Sequence, residues 1–194
     1  MNQGDGHPAL PADTQKVAES RRVVECVPRQ PVRYRYLLHI ALGLDRAGAP
    51  ATGPILTVIQ KNPSLADAAR SDPTAGKVEA WACRHAFAAV IYVNLFALRS
   101  PDPHAVNSVP LAEAVGPENA AALGRACAAA DVVVAAWGNP NGIHEVRYAA
   151  RVAEVLDWLE REAYPLHRVG DLTRREYPRH GLRWHAGALL HRWR

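Results

Sequence analysis

ILTVIQ (residues 55–60), VIYVNL (90–95) and DVVVAAW (131–137) are three short apolar runs rich in β-branched residues, and their reading decides the fold. Strands buried on both faces look like this, because a parallel sheet covered by helices has no solvated side to demand alternating polar residues. Helical patterns lie between and after them. Ala75–Ala88 reads as one helix. Gly116 to about Ala130 reads as a second, with Pro117 and Glu118 suited to its first turn. From His144 to Ala163, Val152, Val155, Leu156, Leu159 and Ala163 recur at helical spacing and form one apolar face. Arg33–Ile40 (RYRYLLHI) begins with alternating Arg and Tyr and then turns apolar, as a strand entering a core does, and Leu166–Leu172 reads as a last short strand. Leu42 to Pro54 and Arg99–Pro110 are loops. The alternation predicts a three-layer α/β/α domain with a four-stranded, mainly parallel central sheet.

The chain has 194 residues, 48% hydrophobic and 22% charged, as one ordinary globular domain has. A chain of this size can bury roughly 70% of its unfolded surface, so it needs no disulfide or structural metal to hold a core. Residues 1–31 are rich in Pro, Gly and polar residues without periodicity and read as a flexible tail, leaving a single domain over 32–194 with a basic C-terminal extension. Three separated cysteines (Cys26, Cys83, Cys127) contain no C-x-x-C pair, and His180, His185 and His191 fit no zinc spacing, so neither metal nor cofactor is expected. The N-terminus lacks the apolar core of a signal peptide and no apolar run reaches membrane-spanning length, which predicts a soluble, cytoplasmic protein with no membrane partner. The net charge of +4 is not spread evenly. Arg168 to Arg194 holds seven arginines against two acids. That excess surrounds His180, Trp184 and Trp193, where a phosphate-bearing substrate would approach; solvated arginines on a tail are the plain alternative.

Ligands of open parallel sheets bind beyond the carboxyl ends of the strands, where loops and helix N-termini converge. The strand ends therefore nominate the site. After ILTVIQ come Lys61, Asn62, Ser64 and Asp67; VIYVNL delivers Asn94 and then Phe96 and Arg99; the third run delivers Trp137 and Asn139; the last strand leads to Arg179, His180 and Arg183. Each has a plain reading beside the functional one. Asn62-Pro63 also suits a simple turn, Asp72 a helix cap, Trp137 a core position, and Arg99 with Asp102 a loop salt bridge. Lys61 suits either an exposed lysine, the commoner case, or a Schiff-base nucleophile of depressed pKa.

The ordered landmarks Asn62-Pro63-Ser64, Ala66-Asp67, Asp72-Pro73-Thr74, Asn94-Leu95-Phe96, Arg99, Asp102-Pro103, Gly116-Pro117-Glu118-Asn119, Trp137-Gly138 and Arg179-His180 resemble a bacterial family, domain of unknown function 1643. Its signature reads N-P-S-T-A-D, D-P-T, N-L-F, R-x-x-D-P, G-P-x-N-D, W-G and R-H-P-L-Y, and the likeness runs from about Arg33 to Leu182. The chain departs from that pattern at Gln60-Lys61, Leu65, Ala120 and Gly181.

More distantly, the order strand–Asn-Pro, strand–Asn with a later Arg, strand–Gly and a late His resembles the uracil-DNA glycosylase superfamily. That resemblance implies a uracil-DNA-glycosylase-like fold and an N-glycosidic bond hydrolase acting on a nucleobase in nucleic acid such as DNA, or in a free nucleoside or nucleotide. Carried over by position, Asn62 would orient the attacking water and His180 would stabilise the departing base. Asn94 would bond a base edge, and Phe96 or Tyr92 would stack on it. The competing expectations are a non-catalytic nucleic-acid or nucleotide-binding module and a diverged small-molecule biosynthetic enzyme on the same fold.

Overall fold

The computed structural model describes residues 21–30, 33–44, 48–63 and 72–194. The three apolar runs are the centre of a mixed seven-stranded sheet in an α/β fold. The strands are β1 (Arg22–Val27), β2 (Leu37–Ala41), β3 (Ile55–Gln60), β4 (Ala89–Asn94), β5 (Val132–Ala135), β6 (Leu166–Val169) and β7 (Leu190–Arg192). Their order in the sheet is β1-β2-β4-β3-β5-β6-β7. The middle four, β4-β3-β5-β6, are mutually parallel, while β2 and β1 on one side and β7 on the other add antiparallel edges.

The expected four-stranded sheet is therefore corrected to seven strands, and the physical reason lies in the edges. β1 lies within the stretch whose composition suggested a tail; its Val23, Cys26 and Val27 pack inward while Arg22 and Val24 face solvent. β7 has three residues, two of them basic. Short edge strands with one wet face carry little apolar signal, and charge on them blunts unwanted pairing. β2 starts at Leu37, not Arg33: Tyr34 makes only an isolated bridge to Leu98, and the strand runs antiparallel to β4.

The helices are α1 (Pro73–Arg84), α2 (Leu111–Val115), α3 (Asn119–Ala128) and α4 (Glu145–Arg161), with 3-10 turns at Pro103–Ser108 and Gly181–Arg183. Asp72 caps α1: its carboxylate accepts the Ala75 amide at 2.8 Å, and Pro73 takes the first turn, where a missing N–H costs nothing. Alternation along the buried strands divides the core into two. Val58, Val90, Tyr92 and Val134 pack with Val78, Trp81 and Ala82 of α1. Ile59, Val93, Val133 and Ala135 pack with Leu123 and Ala126 of α3 and Tyr148, Val152 and Val155 of α4. Helices thus cover both faces of the sheet. Among the described residues, no helix is long and apolar enough to cross a membrane.

Candidate functional site

β3 is the turning point of the topology. The chain leaves it through α1 to pair β4 on one side, then returns through α3 to place β5 on the other. The helix after β3 lies on one face and the helix after β5 on the opposite face, so the connections diverge at the carboxyl ends of these two strands. This is where an open α/β sheet forms its binding crevice.

Three side chains at this edge come from the last residues of β3 and β4 and the residue after β3. Gln60 and Asn94 are register partners on the parallel pair. Alternation puts both on the α1 face. Two further backbone bonds continue the ladder beyond the strands, from the Leu95 amide to Gln60 O at 2.8 Å and from the Phe96 amide to Lys61 O at 2.9 Å. Lys61 therefore points the other way. Its Nζ donates to Pro140 O at 3.0 Å, across the crevice in the β5–α4 loop, and lies 5.8 Å from the centre of the Tyr148 ring. Only 4% of the residue is exposed, and burial pushes its amine down to about 8. The exposed-lysine reading is corrected by this placement: Lys61 follows a strand buried on both faces, and no carboxylate among the described residues lies within ion-pair distance.

Asn94 is fully buried, and among the described residues neither its Oδ1 nor its Nδ2 has a hydrogen-bond partner. An unpaired amide in the interior costs about 1–3 kcal/mol per polar group. Everything around it is clamped. The Asn119 amide donates to Asn94 O and to Leu95 O, each at 3.1 Å, and Arg151 Nε donates to Leu95 O at 2.8 Å. Tyr92, two residues earlier on the same face, donates to Ala75 O at 3.3 Å and lies 3.4 Å from Glu79. Glu79 in turn pairs with Arg21 at 3.1 Å, and burial raises its carboxyl above the ordinary range. Arg35, also buried, is pushed down to about 10 by burial, against the pull of Asp72.

The late segment closes over the same edge. The Gly138 amide donates to Pro178 O at 3.0 Å, and a Cβ on Gly138 would stand 2.9 Å from that of His180; its φ of +66° independently favours glycine. His180 Nδ1 accepts the Leu182 amide at 3.2 Å. That bond fixes the tautomer with the proton on Nε2. Burial, helped by the positive charge of Lys61 and opposed by Asp72, pushes the imidazole down to about 4, so it is a neutral donor at pH 7. Gly181 then touches α1: a Cβ there would lie 2.6 Å from Val78 Cγ2 and 3.6 Å from Gln60 Nε2. A larger residue does not fit, which accounts for glycine at this position.

The other nominated residues scatter. Asn62, half-buried, donates to Ser100 O at 2.9 Å, which orients its amide and ties the β3 turn to the loop after β4. Phe96 and Trp137 are fully buried in the α3–α4 core and offer no open ring face, which corrects the stacking role given to Phe96 and leaves Trp137 as the core residue of its plain reading. Tyr92, the alternative stacking ring, is buried as well. Asn139 accepts from Thr173 Oγ1 at 2.7 Å and ties two loops together. Arg99 lies close enough to Arg35 to lower its pKa, while Asp102 caps the first 3-10 turn through the His104 amide. Arg179 and Arg183 are exposed; Arg179 Nε donates to Asp171 O at 3.0 Å, and Arg183 adds to the positive charge at His180. Ser64 and Asp67 lie outside the described residues. Among the described residues, no three His, Cys, Asp or Glu side chains converge as a metal site would require.

Gln60, Asn119 and Arg151 are polar residues of this edge that the sequence pattern did not nominate for the site. Gln60 had the same signal as Asn94, a polar residue closing an apolar strand. Arg151 sits in line with Tyr148 and Val155 on the buried stripe of α4, where an arginine is out of place unless it bonds something.

The pattern of a family described as protein of unknown function (DUF1643) matches residues 35–182, most of the chain. The chain belongs to the DUF1643 family. No curated protein and no solved structure matches it. The DUF1643 match takes in the whole parallel core, Gly138 and Gly181 on either side of His180, and the buried amides of β3 and β4, and it ends before β7.

Proposed function

We propose that the protein hydrolyses an N-glycosidic bond to a nucleobase, at the crevice between the carboxyl ends of β3 and β5. One observation carries the reading: Asn94, wholly buried at the strand edge, keeps both an unpaired donor and an unpaired acceptor. A flat heterocycle presenting one acceptor and one donor on one edge satisfies both at once, and removes the cost of leaving them unmade. Gln60, its register partner, supplies a second amide on the same face.

Cleavage of an N-glycoside passes through an oxocarbenium-like state and needs a placed water and a stabilised leaving base. The Ser100 carbonyl holds the Asn62 amide by its Nδ2, which leaves Oδ1 to orient water. Neutral His180, proton on Nε2, serves as hydrogen-bond donor to the base as it departs with the bonding electrons. Parallel strands with helices on both faces suit the uracil-DNA-glycosylase-like three-layer arrangement that accompanies this reading. DNA, nucleosides and nucleotides are its substrate classes. Release of free base from damaged oligonucleotides, nucleosides and nucleotides tests it, with Asn62→Ala and Asn94→Ala expected to slow release about 100-fold or more. No release from any substrate, or undiminished release in both variants, overturns the reading.

The depressed His180 favours one competing reading, a nucleotide-binding module without turnover, since a neutral imidazole stabilises an anion less than an imidazolium does. That module binds nucleic acid with steep salt dependence and yields no product.

A further inference from the structure

We propose that Lys61 is a carbonyl-capturing nucleophile, whose amine forms an imine with the C1′ aldehyde of a deoxyribose that has lost its base. The inference rests on the glycosidic-cleavage reading and deepens it, since hydrolysis of a 2-deoxy N-glycoside leaves a sugar in equilibrium with its ring-opened aldehyde.

The geometry supplies the argument. Lys61 is the first residue beyond β3, at the turning point of the topology, and it is buried. A lysine with only a structural task extends its head to water or pairs it with a carboxylate. Among the described residues this one does neither: Nζ donates to Pro140 O at 3.0 Å and lies 5.8 Å from the centre of an aromatic ring. The Tyr148 hydroxyl does not reach for the amine, since it donates to Gly138 O at 2.6 Å. Burial lowers the amine to about 8, so about a tenth of it is neutral at pH 7, and that neutral form, with one N–H on Pro140 O, keeps its lone pair for a ligand. His180, close enough to feel the charge of Lys61, places the amine beside the proposed leaving-group donor.

The step balances. The Nζ lone pair adds to the aldehyde carbon, the carbonyl oxygen takes a proton, and the carbinolamine loses that oxygen as water to leave a protonated imine. Water reverses the sequence and frees the sugar. Sodium cyanoborohydride delivers hydride to the imine carbon instead and makes the link permanent as a secondary amine.

The sequence contains only three lysines, Lys16, Lys61 and Lys77, and Lys77 is exposed on α1, so the chain carries its own reference. The full-length protein is incubated with cyanoborohydride and an oligonucleotide holding one preformed abasic site, and separately with 2-deoxyribose 5-phosphate, followed by peptide mass mapping. We expect the reduced adduct on Lys61 at least tenfold above Lys77. Labelling in both arms means the sugar phosphate suffices; labelling in the oligonucleotide arm alone means the polymer positions the aldehyde. No adduct at Lys61, or labelling that follows exposure with Lys77 ahead, overturns the proposal. Because the aldehyde is preformed, this readout is independent of base release, so a failed glycosylase assay and a failed Lys61 capture are separate results. The wild-type chain carries the measurement, and no variant has to fold.

Discussion

His180 shows how a tertiary setting rewrites a residue. In an unfolded chain its imidazole titrates near 6.5; in the fold it is pushed down to about 4. The unfolded state therefore takes up a proton first as acid is added, and native stability drains between about pH 6.5 and 4. Urea unfolding at pH 7 and pH 4.5 should show this loss in the wild type and a smaller one in His180→Gln. Base release, if it needs the neutral ring, stays level down to about pH 5 and falls with a midpoint near 4. Gly138 is the companion residue. Gly138→Ala imposes a left-handed conformation worth about 1–2 kcal/mol and drives its new methyl against His180. The urea midpoint should fall, and activity should fall further than stability alone explains, because the ring is displaced. At this scale the sequence nominated Lys61, Asn62, Asn94 and His180 from their places after apolar strands, but it did not show that Phe96 turns into the core and left Trp137 open between core and site. Side-chain direction beyond a strand end depends on loop backbone, which no period encodes.

At the scale of elements, α3 does more than cover the sheet. Its first residue, Asn119, hangs on the Asn94 and Leu95 carbonyls, so the helix start and the end of β4 are one unit. Asn119→Ala leaves two buried carbonyls without these donors and should cost about 2 kcal/mol in urea unfolding, with a loss of base release if Asn94 shifts with it. Helix positions were legible to within a few residues: the expected Ala75–Ala88 is Pro73–Arg84, and the expected His144 to Ala163 is Glu145–Arg161. Both have long apolar stripes, and α1 a capping Asp as well. α2, only five residues long, fell between the expected Pro-rich loop and the expected helix from Gly116, and β1 and β7 were hidden by their half-wet, charged composition.

Over the whole molecule, the C-terminal segment separates two aromatics that the sequence places together. Trp184 packs edge-on against Trp81 beneath α1, while Trp193 packs against Trp137 under α4, on the other side of the sheet. Of the seven arginines, Arg175 pairs with Glu145 at 2.7 Å and Arg194 lies over Trp193. Trp184→Ala removes a nearly fully buried ring and should cost about 3–5 kcal/mol, and thermal unfolding should rank it well above the half-buried Trp193→Ala.

What the sequence determined by itself was the class of fold and which polar residues follow the central strands, because buried parallel strands and amphipathic helices write their periods locally. Only the tertiary structure decided the strand order, and with it the crevice beside β3. Pairing between distant strands, burial of Lys61 without a counter-ion and the unpaired amide of Asn94 are properties of what surrounds a residue in space. Those surroundings come from segments far apart in the chain.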